Sequence, residues 1–271
     1  MLHKVAIHSI PRSGSTWLGQ IFNSHPDVAY RYQPLFSFAF KGRLNENSSR
    51  SEINSYFQDI LSSDDEFLHQ TGKKSLASNY PVFNKNIKPT HIIYKEVRYH
   101  HILKNMLRQD DKVQVIGLVR NPMAALNSWI NSPREFRIDL GWDPLSEWRS
   151  APSKNQGRKE EYYGYDKWKE VALLFLQLQE DFPDNFLLVK YNELLKDPIE
   201  STQKLFSFVG LDMTSATEEF LVESRKKNDN ETYGIYRSHK TDDQWKELLD
   251  QHIVDAIHFD LKDTVLEQFL H

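Results

Sequence analysis

Four short apolar runs punctuate the chain, at residues 5–10, 91–94, 113–119 and 186–190. None shows the strict polar alternation of a half-wet strand, so each predicts a strand buried on both faces, as in a parallel sheet. Between them apolar positions return at helical spacing over 16–23, 99–107, 122–130 and 165–180. Strand and helix alternate, which predicts an α/β fold: a doubly wound parallel sheet flanked by helices, with right-handed crossovers. A polar stretch at 41–51 leads into a further predicted helix at 52–61. Residues 132–164 lack a clear period yet carry Trp142, Trp148, Tyr162 and Tyr163, so a binding insertion is expected there. Residues 226–243 are strongly polar, and helical spacing resumes over 244–269. No repeat or shift in composition divides the chain, and one domain over 1–271 is expected.

Composition narrows the chemistry. The 271 residues include no cysteine, which excludes a disulfide framework, a Cys-ligated metal and a catalytic thiol. Hydrophobic residues at 39% and aromatics at 13% suffice for a large core. With 34 Lys and Arg against 38 Asp and Glu, the net charge of −4 gives no general attraction for nucleic acid or a membrane surface. No run approaches the roughly 18 apolar residues of a membrane span. The opening MLHKVAI lacks a leader pattern, so a soluble, cytoplasmic protein is expected. No His, Asp or Glu cluster has metal-ligand spacing, and no metal is expected.

Two strand-to-helix junctions carry candidate chemistry. The first reads Pro11-Arg12-Ser13-Gly14-Ser15-Thr16-Trp17-Leu18. Unpaired N–H groups at a helix start attract anions, Gly14 permits close backbone approach, Ser13, Ser15 and Thr16 add hydroxyls, and Arg12 adds a charged fork. An ordinary helix-capping turn is the plainer reading. The loop is not of the G-x-x-x-x-G-K-[ST] type, because no Lys follows Gly14, and this disfavours a magnesium-dependent kinase. At the second junction Arg120 ends a strand, Pro122 opens a helix, and Ser128 lies about two turns further on. Arg120 and Ser128 fit one anion together; alone, Arg120 reads as a surface ion-pair partner.

Together the two junctions resemble the sulfotransferases that use 3′-phosphoadenosine 5′-phosphosulfate (PAPS). PRSGSTWL is similar to that family's 5′-phosphosulfate loop, and LVRNPMAALNSW to its 3′-phosphate motif. The segment from Leu187 through Tyr191 to Pro198, followed by FSFVGL, resembles a third family motif whose Tyr helps to hold the adenine. The resemblance implies a P-loop-like form of the doubly wound α/β fold, PAPS as sulfuryl donor and adenosine 3′,5′-bisphosphate as product. It also implies that Arg12, Ser13, Gly14, Ser15, Thr16, Arg120, Ser128 and Tyr191 contact the nucleotide. Trp17 matches a position that stacks on adenine; a core Trp fits its sequence context equally. Residues 226–243, with Arg237, match the family's segment that closes over the 3′-phosphate; a solvated basic cluster is the alternative.

The resemblance further implies in-line sulfuryl transfer, with Arg12 neutralising the sulfonate and the leaving phosphate. Carbohydrate-active relatives place a Glu where this chain has Gln33, and a Gln amide cannot take up a proton. Gln33 is therefore expected to orient the acceptor. Lys95 matches the Lys of a K-x-H element in cytosolic relatives, whose His is Val97 here. Glu96 is the expected base, with His8 and His100 behind it; pairing with Arg98 is the competing role for Glu96. Strand parity sends Lys95 and Glu96 to opposite faces unless the strand ends there. The motif style implies a saccharide or glycoconjugate hydroxyl as acceptor, with Trp142, Trp148, Tyr162, Tyr163 and Trp168 as stacking candidates and Trp142 foremost. A catalytically impaired nucleotide-binding protein and a sulfotransferase for non-carbohydrate molecules are the rivals.

Overall fold

A computed structural model of the chain describes residues 2–71, 80–226, 235 and 241–270. Five parallel strands form one sheet in the order β2-β3-β1-β4-β5: β1 His3–Ser9, β2 Val28–Tyr32, β3 His91–Glu96, β4 Val113–Val119 and β5 Phe186–Lys190. In the middle, Ile7 of β1 stands beside Lys95 of β3 and Ile116 of β4. The chain builds β2 and β3 on one side of β1, then β4 and β5 on the other. The carboxyl edge beside β1 is thus a topological switch point, where open α/β sheets take their ligands.

Side-chain alternation divides the core between the two faces of the sheet. Ala6, Ile92, Tyr94, Val113 and Val115 pack with Tyr56, Trp129, Trp168 and Phe175 on one face. Val5, Ile7, Ile93, Ile116 and Leu118 pack with Leu18, Phe22, Phe206 and Phe220 on the other. Among the described residues no helix is long and apolar enough to cross a membrane.

The predicted helices form close to their expected limits: α1 at Ser15–Ser24, then helices Arg50–Ser62, Pro122–Ile130 and Tyr165–Asp181. Helix Arg50–Ser62 starts on a capping box in which the Ser49 hydroxyl accepts from Glu52 N and Glu52 accepts from Ser49 N. The region expected to be helical over 99–107 begins as a short 3₁₀ turn, His100–Ile102, and becomes α-helical over Leu103–Gln109. β2 is an element the sequence pattern did not single out. Its VAYRY run places Arg31 where a buried strand should be apolar, and the structure accounts for that residue. The guanidinium donates to the carbonyls of Ile60 at 2.7 Å, Leu61 at 2.7 Å and Tyr30 at 2.9 Å, so it satisfies the C-terminal end of helix Arg50–Ser62.

Candidate active site

The β1–α1 junction turns on two left-handed residues, Arg12 with φ 66° and Gly14 with φ 83°. No described side chain caps α1 at Gly14, so the first-turn N–H groups remain available to an anion. Gly14 is required twice over. Its φ disfavours any Cβ, and a Cβ there would lie 2.2 Å from Cε2 of the Tyr191 ring. Ser13 is fully buried, and its Oγ finds no partner among the described residues.

At the β4 junction the helix start is treated differently. Asn121 caps helix Pro122–Ile130 with its own side chain, accepting from Met123 N at 2.9 Å and Ala124 N at 3.4 Å. Side chains must supply the positive charge here. Arg120 donates from Nη1 to the Arg12 carbonyl at 2.6 Å, and Arg12 donates from Nε to Ser128 Oγ at 3.2 Å. These bonds fasten the two junctions together. Arg120 lies 5.1 Å from the Tyr191 ring centroid, and its remaining donors grip the Asp242 carboxylate, Nε at 2.7 Å. Trp17 is buried, meets Tyr191 edge-on at 6.5 Å and donates from Nε1 to Ser224 Oγ at 3.1 Å.

Beside them, β2 and β3 end in a buried charged cluster. Lys95 is 2% exposed, its ammonium 4.5 Å from the Tyr32 ring centroid. Burial pushes the Lys95 pKa down and that of its neighbour Glu96 up. Gln33, at φ 41°, accepts a hydrogen bond from Arg98 Nη1 at 3.0 Å, while Arg98 Nε donates to Glu161 at 3.0 Å. Arg98 therefore pairs with Glu161 rather than with Glu96.

Both junctions and the charged cluster open into one cavity of about 350 Å³. Pro11, Arg12, Gly14, Ser15, Thr16, Trp17, Arg120, Ser128 and Tyr191 line one part of it. Tyr32, Gln33, Phe36, Phe67, Lys95 and Arg98 line another, joined by Arg134, Glu135, Lys154 and Tyr163 from the insertion. Ser224, Arg225 and Ile235 complete the wall. Glu135 is the one carboxylate among the described lining residues.

A family model for the sulfotransferase domain matches residues 2–269. The chain belongs to the sulfotransferase family. Carbohydrate sulfotransferase 1 of Danio rerio is 22% identical over 93% of this chain and 74% of its own length. Carbohydrate sulfotransferase 5 of Mus musculus is 23% identical over 80% of this chain and 66% of its own length, so the chain spans two thirds to three quarters of these relatives. The fold is shared with mouse sulfotransferase SULT7A1 complexed with PAP, at a TM-score of 0.56 with 14% identity, covering 99% of this chain and 87% of that one. It is shared also with the sulfotransferase domain of the Synechococcus olefin synthase, at 0.51 with 20% identity, covering 96% and 94%. The expected family and α/β P-loop-like fold are both found.

In this sulfotransferase the residues expected around the nucleotide fall together in the cavity wall, apart from Ser13, which is fully buried outside it, and Arg237, which lies outside the described residues. Of the segment expected to cover the site over 226–243, the described Ile235 is buried against the cavity and Asp242 holds Arg120. Trp17 is buried, as a core Trp would be, and also forms part of the cavity wall.

The expected base is displaced. Lys95 lines the cavity, but Glu96 is fully buried away from it, and its Oε1 accepts from Leu35 N at 2.8 Å. The cause is strand alternation: β3 runs through Glu96, so successive side chains take opposite faces. His8 and His100 are also core residues, their Nδ1 atoms 3.0 Å apart. Burial pushes the His8 pKa down to about 3, assisted by His101, and lowers that of His100 as well.

The stacking residues are displaced too. Trp142 is outside the cavity wall and packs edge-to-face on Phe136 at 5.6 Å. Trp148 stacks on Tyr165 at 5.7 Å, Tyr162 lies 4.5 Å from His100, and Trp168 donates from Nε1 to the Arg120 carbonyl at 2.9 Å. Of the five only Tyr163 lines the cavity. The aromatic surface there comes from Tyr32, Phe36 and Phe67, with Phe67 5.5 Å from Tyr32 and 6.1 Å from Phe36. Phe36 and Phe67 are 47% and 40% exposed, a signal that composition and spacing do not carry.

Proposed function

We propose that this sulfotransferase moves a sulfuryl group from PAPS to a hydroxyl of a saccharide or glycoconjugate. The observation that carries the reading is the single cavity, which joins an uncapped helix start to an aromatic, polar wall. Its residues fit the nucleotide: first-turn N–H groups with Ser15 and Thr16 for the 5′-phosphosulfate, Arg120 and Ser128 for the 3′-phosphate, and the Tyr191 and Trp17 rings for the base. The solved SULT7A1 structure contains PAP, which supports the same class of ligand here.

PAPS supplies an activated sulfuryl group and a phosphate leaving group. Arg12 and Lys95, both in the cavity wall, are positioned to offset the negative charge that grows as the sulfur–oxygen bond breaks. The Arg12–Ser128 and Arg120–Arg12 bonds fix the loop in advance, which lowers the reorganisation needed during reaction. Phe36 and Phe67 offer apolar faces to a sugar ring, with Gln33 and Arg98 as polar neighbours. The carbohydrate sulfotransferases among its relatives support the same acceptor class.

A screen with radiolabelled PAPS against oligosaccharides, phenols and amines tests the reading. Sulfation of saccharide hydroxyls is expected. Transfer confined to phenols or amines overturns the acceptor class. Tight binding of adenosine 3′,5′-bisphosphate with no transfer to any acceptor identifies a catalytically impaired nucleotide-binding protein instead.

A further inference from the structure

A hydroxyl acceptor must lose a proton, and the residues to which the sequence directs attention cannot take it. Gln33 is an amide held by Arg98, and Glu96, His8 and His100 lie in the core outside the cavity. The insertion supplies another group. Glu135 follows helix Pro122–Ile130 by one short turn, and Trp129 Nε1 donates to its carbonyl at 3.3 Å. Its side chain is 12% exposed and lines the cavity. Lys154 pairs with its Oε2, and Tyr163 OH donates to the same oxygen at 3.0 Å. Across the cavity its charge is felt by Lys95 and Tyr32, two residues at the carboxyl edge of the sheet. Arg134 is the adjacent cation in the wall.

We infer that Glu135 is the general base that takes the acceptor's proton. This rests on the transfer reading proposed above. The acceptor O–H proton passes to the Glu135 carboxylate while the acceptor oxygen forms its bond to sulfur. The bond between sulfur and the bridging oxygen of the 5′-phosphate breaks, and its electron pair stays on that oxygen. The Glu135 carboxyl then returns the proton to solvent. Lys154 and Tyr163 are positioning residues: both contact Oε2, and a neighbouring cation favours the ionised form of a carboxylate.

The test compares wild type, Glu135→Gln and Lys154→Met with PAPS and a pool of neutral and acidic oligosaccharides. It follows kcat against pH, with affinity for adenosine 3′,5′-bisphosphate measured by calorimetry. Glu135→Gln should lower kcat by about 10²–10⁴-fold, abolish the acid limb of the profile and leave nucleotide affinity within about twofold. Lys154→Met should retain the acid limb but move it to higher pH, because the carboxylate has lost its cation. Glu135→Gln with kcat within about threefold of wild type, or with an unchanged acid limb, overturns the assignment while transfer itself stands. A fall in nucleotide affinity as large as the fall in kcat makes Glu135 a structural residue and also overturns it. Wild type that binds the nucleotide yet sulfates nothing overturns the transfer reading, and this assignment with it.

Discussion

The two ends of the cavity are built by different means. The end proposed to hold the nucleotide is made where a strand passes directly into a helix, at Arg12–Thr16 and again at Arg120–Ser128. Each loop is set there by its own strand and helix start, and adjacent strands in register bring the two loops within hydrogen-bond reach of each other. The end proposed to hold the acceptor is assembled from the ends of β2 and β3, the exposed Phe36 and Phe67, and the long insertion. Its polar contacts are made by side chains of loops and of the insertion rather than set by strand register, as in Glu135 with Tyr163 and Arg98 with Glu161. One end combines the N–H groups of a helix start with side chains that adjacent strands bring together; the other uses side chains from loops and the insertion. The first suits a constant donor, the second a variable acceptor.

The sharpest way to separate the ends is to remove Arg12, which touches both the loop and Ser128. Arg12→Ala should lower turnover by about 10²–10³-fold, the usual loss for one charge-stabilising donor. Nucleotide affinity should fall by far less, because the α1 N–H groups and Arg120 remain. Steady-state kinetics beside calorimetry checks this; near-wild-type turnover would remove Arg12 from the chemistry.

Gly14→Ala attacks the nucleotide end alone. The new Cβ meets the Tyr191 ring at 2.2 Å on a backbone at φ 83°. Left-handed strain and overpacking together predict a cost of about 2–4 kcal/mol in stability. Displacing Tyr191 should also weaken nucleotide binding. Denaturant melts and calorimetry read the two effects, and a variant as stable as wild type contradicts the packing described.

That contrast explains what the sequence made legible. The β1–α1 and β4–helix junctions are local: apolar run, turn residues and amphipathic helix follow one another, and the pattern names the residues as well as the elements. β2 was hidden because Arg31 reaches the carbonyls of a helix about 30 positions away, which no local period encodes. The insertion stands out by its length and aromatic content, but its aromatics serve mainly to anchor it, Trp142 on Phe136 and Trp148 on Tyr165. Glu135 carried no signal at all, since its partners Lys154 and Tyr163 reach it only when the loop folds back. Lys95 and Glu96 show the opposite case: parity predicted that one would face away, and the extension of β3 through Glu96 decides which.

Asp242 offers a gentler test. Its carboxylate holds Arg120 from within the segment expected to cover the nucleotide, and on the proposed reading it competes for the charge that the 3′-phosphate needs. Asp242→Asn should tighten adenosine 3′,5′-bisphosphate binding by about three- to tenfold. Adenosine 5′-phosphate, which lacks the 3′ group, should gain nothing. Equal gains for both ligands would place the competition elsewhere.

The smallest effect on turnover, and the most specific one on stability, belongs to Glu96→Gln. The amide keeps the oxygen that accepts from Leu35 N, so the turn after β2 should be preserved and kcat should stay within about threefold of wild type. Wild-type Glu96 has a pKa raised by burial, against the pull of Arg98 and Lys95, and its Oε2 has no partner among the described residues. The folded state therefore binds this proton more tightly than the unfolded chain does. Its contribution is full below the ordinary carboxyl pKa of 4.5 and is lost as pH rises through the raised value. Gln cannot titrate, so that part of the decline should vanish in the variant. Denaturant midpoints at pH 5 and pH 8 should draw together relative to wild type. An unchanged gap assigns the pH dependence to other groups, whereas a large loss of turnover returns Glu96 to the chemistry and merges the two ends that the structure keeps apart.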